Sequence, residues 1–107
     1  MNTSMNKPED EHVVGIYLTI RGAKEAMEFY KNIFGAEIEG TLMMKDGTVG
    51  HGEMRIGDTK IMFSEENEAW GAQSPALLGG TPVGLNIYVD DPDAVVKKAV
   101  AAGATQT

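Results

Sequence analysis

Hydrophobic and polar residues alternate cleanly at the start of the chain. Val14, Ile16, Leu18 and Ile20 fall on one side of a strand, and Gly15, Tyr17, Thr19 and Arg21 on the other. The spacing then changes to a helical one over Gly22 to Phe34, where Ala26, Met27, Phe29, Tyr30, Ile33 and Phe34 form one apolar face that Gly35 closes. Alternation returns in Ala36 to Met44, Val49 to Ile56 and Thr59 to Ser64. Lys45-Asp46-Gly47-Thr48 and Gly57-Asp58 supply the turns between these strands. Glu65 to Pro82, with Trp70, Gly71, Ser74-Pro75 and Gly79-Gly80, reads as a long loop.

The opening pattern then recurs. Val83-Gly84-Leu85-Asn86-Ile87-Tyr88-Val89 repeats the first strand at an offset of 84 − 15 = 69 positions. A helix from Pro92 to Ala102 follows, with Asp91 as its N-cap and Gly103 after its end. The pattern predicts an α+β fold: a βαβββ module over 13–64, the loop 65–82, and a partial second module (βα) over 83–107. Together, 13–107 form one domain behind a polar tail, 1–12. A repeat on this scale predicts two units that each bury an apolar face against the other. The second unit lacks three strands of the first, so its strand presents an unpaired edge. A homodimer is the expected remedy, either pairing equivalent faces about a two-fold axis or exchanging the strand–helix piece.

The 107 residues are 42% hydrophobic, enough for a single core. The absence of cysteine removes disulfides, thiolate nucleophiles and zinc–thiolate sites. No apolar run near the start suits a signal peptide or a membrane span, and a cytoplasmic location is expected. Sixteen acidic against nine basic residues give a net charge of −7, which argues against nucleic acid as a partner and either attracts a cationic ligand or serves only solubility.

The same alternation assigns side chains to the sheet face turned away from the helices. That face collects Tyr17 and Thr19 from the first strand, and His51, Glu53 and Arg55 from the third. It takes Lys60, Met62 and Ser64 from the fourth strand, and Asn86 and Tyr88 from the repeated one. His51 and Glu53, about 7 Å apart along a strand, are a candidate ligand pair, acid–base pair or pair of metal donors, or simply part of a solvated face. Tyr17, Asn86 and Tyr88 combine an apolar body with a polar tip, which suits either a pocket or simple filling of the cup, and Trp70 in the loop is a candidate lid or a loop anchor.

Several motifs carry a resemblance. They are Tyr17-Leu18-Thr19-Ile20-Arg21-Gly22-Ala23, Glu28-Phe29-Tyr30-Lys31 with Phe34-Gly35-Ala36, and His51-Gly52-Glu53-Met54-Arg55-Ile56-Gly57-Asp58. Gly79-Gly80-Thr81-Pro82-Val83, Tyr88-Val89-Asp90-Asp91 and Ala101-Ala102-Gly103-Ala104 complete them. In order and spacing they resemble the glyoxalase/bleomycin-resistance/dioxygenase superfamily (vicinal oxygen chelate fold), in its PhnB-like branch. The resemblance implies paired modules in a cupped sheet with a ligand cavity inside. It also implies metal ligands at the first and last strands of each module, and those positions fall on Gly15, Gly84 and near Met62. Neither glycine nor thioether suits a hard divalent ion, so no metal cofactor is expected. The reading is a small-molecule binding protein whose ligand contacts are Tyr17, Thr19, His51, Glu53, Arg55, Met62, Trp70, Asn86 and Tyr88. The alternatives are a metal-dependent lyase or dioxygenase built on His51 and Glu53, and a shortened, inert member of the family.

Overall fold

The computed structural model describes residues 11–107, so most of the expected polar tail lies outside the described residues. Four strands form one mixed sheet in the order β1-β4-β3-β2: β1 (Ile16–Ile20), β2 (Glu37–Met43), β3 (Val49–Ile56) and β4 (Thr59–Glu65). Helix α1 (Ala23–Phe34) connects β1 to β2 and packs across one face of the sheet. β1 runs parallel to β4, and the β2–β3 and β3–β4 pairs are antiparallel. The expected βαβββ module is formed.

The core lies between α1 and the sheet. Ala23, Ala36, Val49, Met54, Ile61 and Phe63 are buried there, with Ile16, Leu18, Ile20, Met27, Tyr30, Ile38 and Ile56 packed around them. Strict alternation would put Val49 on the same side as His51. Its burial has a local cause: Leu42 pairs with His51 but Met43 pairs with Val49, so Gly50 is an extra residue in β3 and the pleat reverses there. A second irregularity between Ile38 and Gly40 leaves Glu39 as the extra residue of β2. Gly52 faces Phe63 in the neighbouring strand, and a methyl group on it would meet the ring at 2.4 Å. Only glycine leaves room for the outer edge of the ring against the strand.

The two ends of α1 are closed in different ways, by a carboxylate from β4 and by a glycine turn. At its start stands Gly22, which has no side chain to cap the helix. Glu65, at the end of β4, does so instead: its two carboxylate oxygens accept from the Gly22 and Ala23 amides, each at 2.9 Å. At the other end Gly35, at φ 67°, allows the left-handed turn that stops the helix.

The stretch read as a long loop is partly ordered. It holds a single 3-10 turn, Glu68–Trp70, and a one-turn helix α2 (Pro75–Leu78) capped by Ser74. Ser74 is fully buried and donates to Glu66 at 3.0 Å, while Glu66 pairs with Arg21 at 2.6 Å. This ties the loop to the β1–α1 corner.

The second unit differs from expectation. Helix α3 (Pro92–Ala101) forms, with the Asp91 side chain accepting from the Ala94 amide at 3.1 Å, and Lys98 reaches the Asn32 carbonyl of α1 at 2.8 Å. Val83–Val89, read as a fifth strand, joins no sheet among the described residues. A strand exists through its ladder, and this segment stands off from β1. Two grooves lie beside it. One of about 610 Å³ runs along Leu18, Ile20, Phe29, Tyr30 and Phe34, and one of about 500 Å³ runs along Ile16, Phe34, Ile56 and Ile61.

Candidate functional site

The sheet face opposite α1 carries the polar residues, and pairing register arranges them in rows. Tyr17 stands beside Met62, and Met62 beside Glu53. Thr19 stands beside Ser64, and Lys60 beside Arg55. Two-residue alternation keeps His51 on the same side as Glu53, beyond the reversal at Gly50, and His51 sits across from Leu42. Tyr17, at the sheet edge, therefore leans diagonally over two strands toward His51, with ring centroids 5.7 Å apart.

These side chains form a continuous hydrogen-bonded chain. The Tyr17 hydroxyl lies 3.2 Å from His51 Nδ1, and His51 Nε2 lies 3.0 Å from Glu53 Oε2. The second oxygen of Glu53 pairs with Lys60 Nζ at 2.8 Å, and Lys60 also reaches Glu11 at 2.5 Å. The Lys60 hydrogen bond, followed by that of His51, holds the Glu53 carboxyl below its ordinary range. The two carboxylates, Glu11 first and then Glu53, push the Lys60 ammonium up.

Glu53 is thus an ionised acceptor and has no proton to give. The hydrogen between it and His51 must sit on Nε2. In an uncharged imidazole Nδ1 is then bare, and the Tyr17 hydroxyl donates to it. Each partner fixes the next, and the tautomer follows from the carboxylate.

Arg55 is held by Glu39 at 3.2 Å, at the margin of this cluster. Met62 forms part of its floor, close enough to Gly15 that a methyl group there would lie 3.1 Å from its Cε. Thr19 is half-buried one row away. Two residues expected on this face lie elsewhere. Asn86 and Tyr88 line the groove by Phe34, Ile56 and the β3–β4 turn, and Tyr88 is 91% exposed. Their expected position depended on a ladder that Val83–Val89 does not make. Trp70 lies in the 3-10 turn, over a depression of about 320 Å³ between the β2–β3 hairpin and the end of β4. Lys60 and Glu11 were not singled out from the sequence. Alternation already placed Lys60 on the face, but nothing in the local pattern points to Glu11.

Metal donors can be tested against these positions. Gly15 offers no side chain, Met62 offers a thioether, and Gly84 borders the groove by Phe34 and the β3–β4 turn. This donor set does not fit a hard divalent ion. Among the described residues no three His, Asp or Glu side chains converge to hold one.

The sequence profile of the glyoxalase/bleomycin resistance protein/dioxygenase superfamily matches residues 11–106. The chain belongs to this superfamily. Its similarity extends to an uncharacterized protein of Mycobacterium bovis and one of Mycobacterium tuberculosis, each 34% identical over 98 residues. The match takes in 89% of this chain, which spans 64% of the first relative's length and 58% of the second's. Among solved structures, the X-ray structure of a gene product from Arabidopsis thaliana superposes with a TM-score of 0.72 at 25% identity. That match covers 91% of this chain and 77% of the other. None of the chain's described helices is long and apolar enough to cross a membrane. The profile match establishes superfamily membership alone. It leaves the ligand to be argued from the face itself.

Proposed function

We propose that this chain is a small-molecule binding protein that holds a polar organic ligand against the sheet face at Tyr17, Met62, His51 and Glu53. The observation that carries this reading is the chain of side chains from Tyr17 through His51 and Glu53 to Lys60. It presents a partly exposed hydroxyl and imidazole edge beside the Met62 side chain, polar groups next to an apolar one, the combination that orients small ligands. Net charge alone favours a cationic ligand, but the carboxylates nearest the site are neutralised by Lys60 and Arg55. An uncharged ligand with hydrogen-bonding groups suits the face better. Thr19 and Arg55 would contact its periphery.

A metal-dependent lyase or dioxygenase on His51 and Glu53 finds less support. A metal would have to displace both the Nε2 proton and Lys60 from groups already matched to each other. The test is two-dimensional NMR on labelled protein, titrated with a panel of hydroxylated and heteroaromatic fragments. Saturable shifts centred on Tyr17, Met62, His51 and Glu53 are expected. Saturable shifts confined to the grooves beside Val83–Val89, or none anywhere, would overturn the proposal.

A further inference from the structure

We infer that Tyr17 is an acid–base residue: its phenol oxygen takes a proton from a neutral hydroxylic ligand while its own proton passes to His51 Nδ1. The inference rests on the binding face proposed above and adds a chemical step to it. A reacting oxygen needs a base within hydrogen-bond reach, and the base needs a third group to orient it. Tyr17, His51 and Glu53 meet that description at 3.2 Å and 3.0 Å.

The step balances. The ligand O–H bond breaks and its proton bonds to the Tyr17 oxygen. The Tyr17 O–H bond breaks and that proton bonds to Nδ1. The result is an imidazolium between Tyr17 and the Glu53 carboxylate, beside a ligand oxyanion. No oxidant or reductant enters. A neutral O–H donor is the class that gains most, since it ends as an anion next to a new cation. An ammonium donor would only exchange one cation for another. Lys60 keeps Glu53 ionised and therefore able to stabilise the imidazolium.

The structure also contains its own control. Tyr88 is 91% exposed, Tyr17 is 49% exposed, and Tyr88 has no hydrogen-bond partner among the described residues. Accessibility alone therefore makes Tyr88 the more reactive phenol. Relay of the Tyr17 proton to His51 makes Tyr17 the more reactive.

N-acetylimidazole separates the two without any ligand, so this test is independent of whether the fragment titration succeeds. Acetylation forms the Tyr oxygen–acetyl bond, breaks the acetyl–imidazole bond and sends the phenol proton to His51, and the leaving imidazole takes a proton from solvent. Peptide mass spectrometry then reads each tyrosine. Tyr17 is expected to react about tenfold faster than Tyr88, the smaller gains of general base catalysis being about a hundredfold. His51→Gln should bring Tyr17 below Tyr88, and Glu53→Gln should slow Tyr17 while leaving Tyr88 unchanged. Nitrogen-15 spectra should show the Nε2–H tautomer at His51 in the unsubstituted protein, which requires no variant to fold. Tyr17 slower than Tyr88, a rate insensitive to His51→Gln in a folded variant, or the Nδ1–H tautomer would each overturn the inference.

Discussion

Replacing Gly52 by alanine tests whether the core is packed as described. The added methyl carbon would lie 2.4, 2.6 and 2.9 Å from three atoms of the Phe63 ring. Carbon atoms pack at about 3.5 to 4.0 Å, so the ring must retreat by roughly 1 Å. It has little room, since Phe63 is 1% exposed and enclosed by Val49, Met54 and Ile61. Forcing a methyl into a filled core costs about 1–3 kcal/mol, and expelling the aromatic ring altogether costs about 3–5 kcal/mol. The expected loss is about 3 kcal/mol, or about 10–20 °C in Tm for a chain this size. Urea unfolding followed by circular dichroism measures it. Adding Phe63→Leu to the alanine variant should restore about 1 kcal/mol, because the two sites compete for one space. A loss within about 0.5 kcal/mol, or no recovery in the double variant, would refute the packing argument.

Glu65→Gln leaves one oxygen for two helix amides and removes the charge at the start of α1. About 1 kcal/mol of stability should go, with faster hydrogen exchange at Gly22 and Ala23. Unchanged exchange there would contradict the cap. Stability should also fall in acid through Glu53 and Glu66. Lys60 and His51 hold the first carboxyl below its ordinary value of 4.5, and Arg21 and Ser74 do the same for the second. The native state therefore binds these protons more weakly than the unfolded chain does. Their contribution is complete above 4.5 and disappears as pH falls through the lower native values. Melting curves between pH 7 and pH 3 should show the decline, and Glu66→Gln should flatten it. An identical decline in that variant would remove Glu66 from the account. Tyr17→Phe should leave Tm within about 2 °C, since the hydroxyl is exposed, while shifting the His51 nitrogen signals. An unmoved His51 spectrum would mean that the hydroxyl does not reach Nδ1 in solution.

How much of this was legible in the sequence depended on how local each cause is. Two-residue alternation in β1, β3 and β4 correctly separated Met54, Ile61 and Phe63 from Tyr17, His51 and Glu53. Val49 was beyond it, because its burial follows from an extra residue whose place is set by the pairing with β2. The hydrophobic staging of α1 was readable, but its start depends on a carboxylate from β4, and no local pattern announces that. Val83–Val89 shows the limit from the other side. Its composition is that of a strand, yet strand formation depends on a neighbour at hydrogen-bonding distance. Asn86 and Tyr88 were placed by that composition, and so their expected company with Tyr17 was lost with the ladder. Trp70 was placed by residue type alone, and the 3-10 turn sets it over the depression between the β2–β3 hairpin and the end of β4.

The capping of α1 by Glu65 has a consequence for the order of folding events. The group that completes the first turn comes from 42 and 43 residues further along the chain. A helix of twelve residues is marginal in water by itself. Its opening turn cannot be finished until three more strands exist and β4 has docked alongside β1. Local helix and long-range sheet thus complete one another in a single late event, since the chain must close a long loop before either is rewarded. In kinetic terms, Gly22 and Ala23 become protected when the sheet closes rather than when the helix begins.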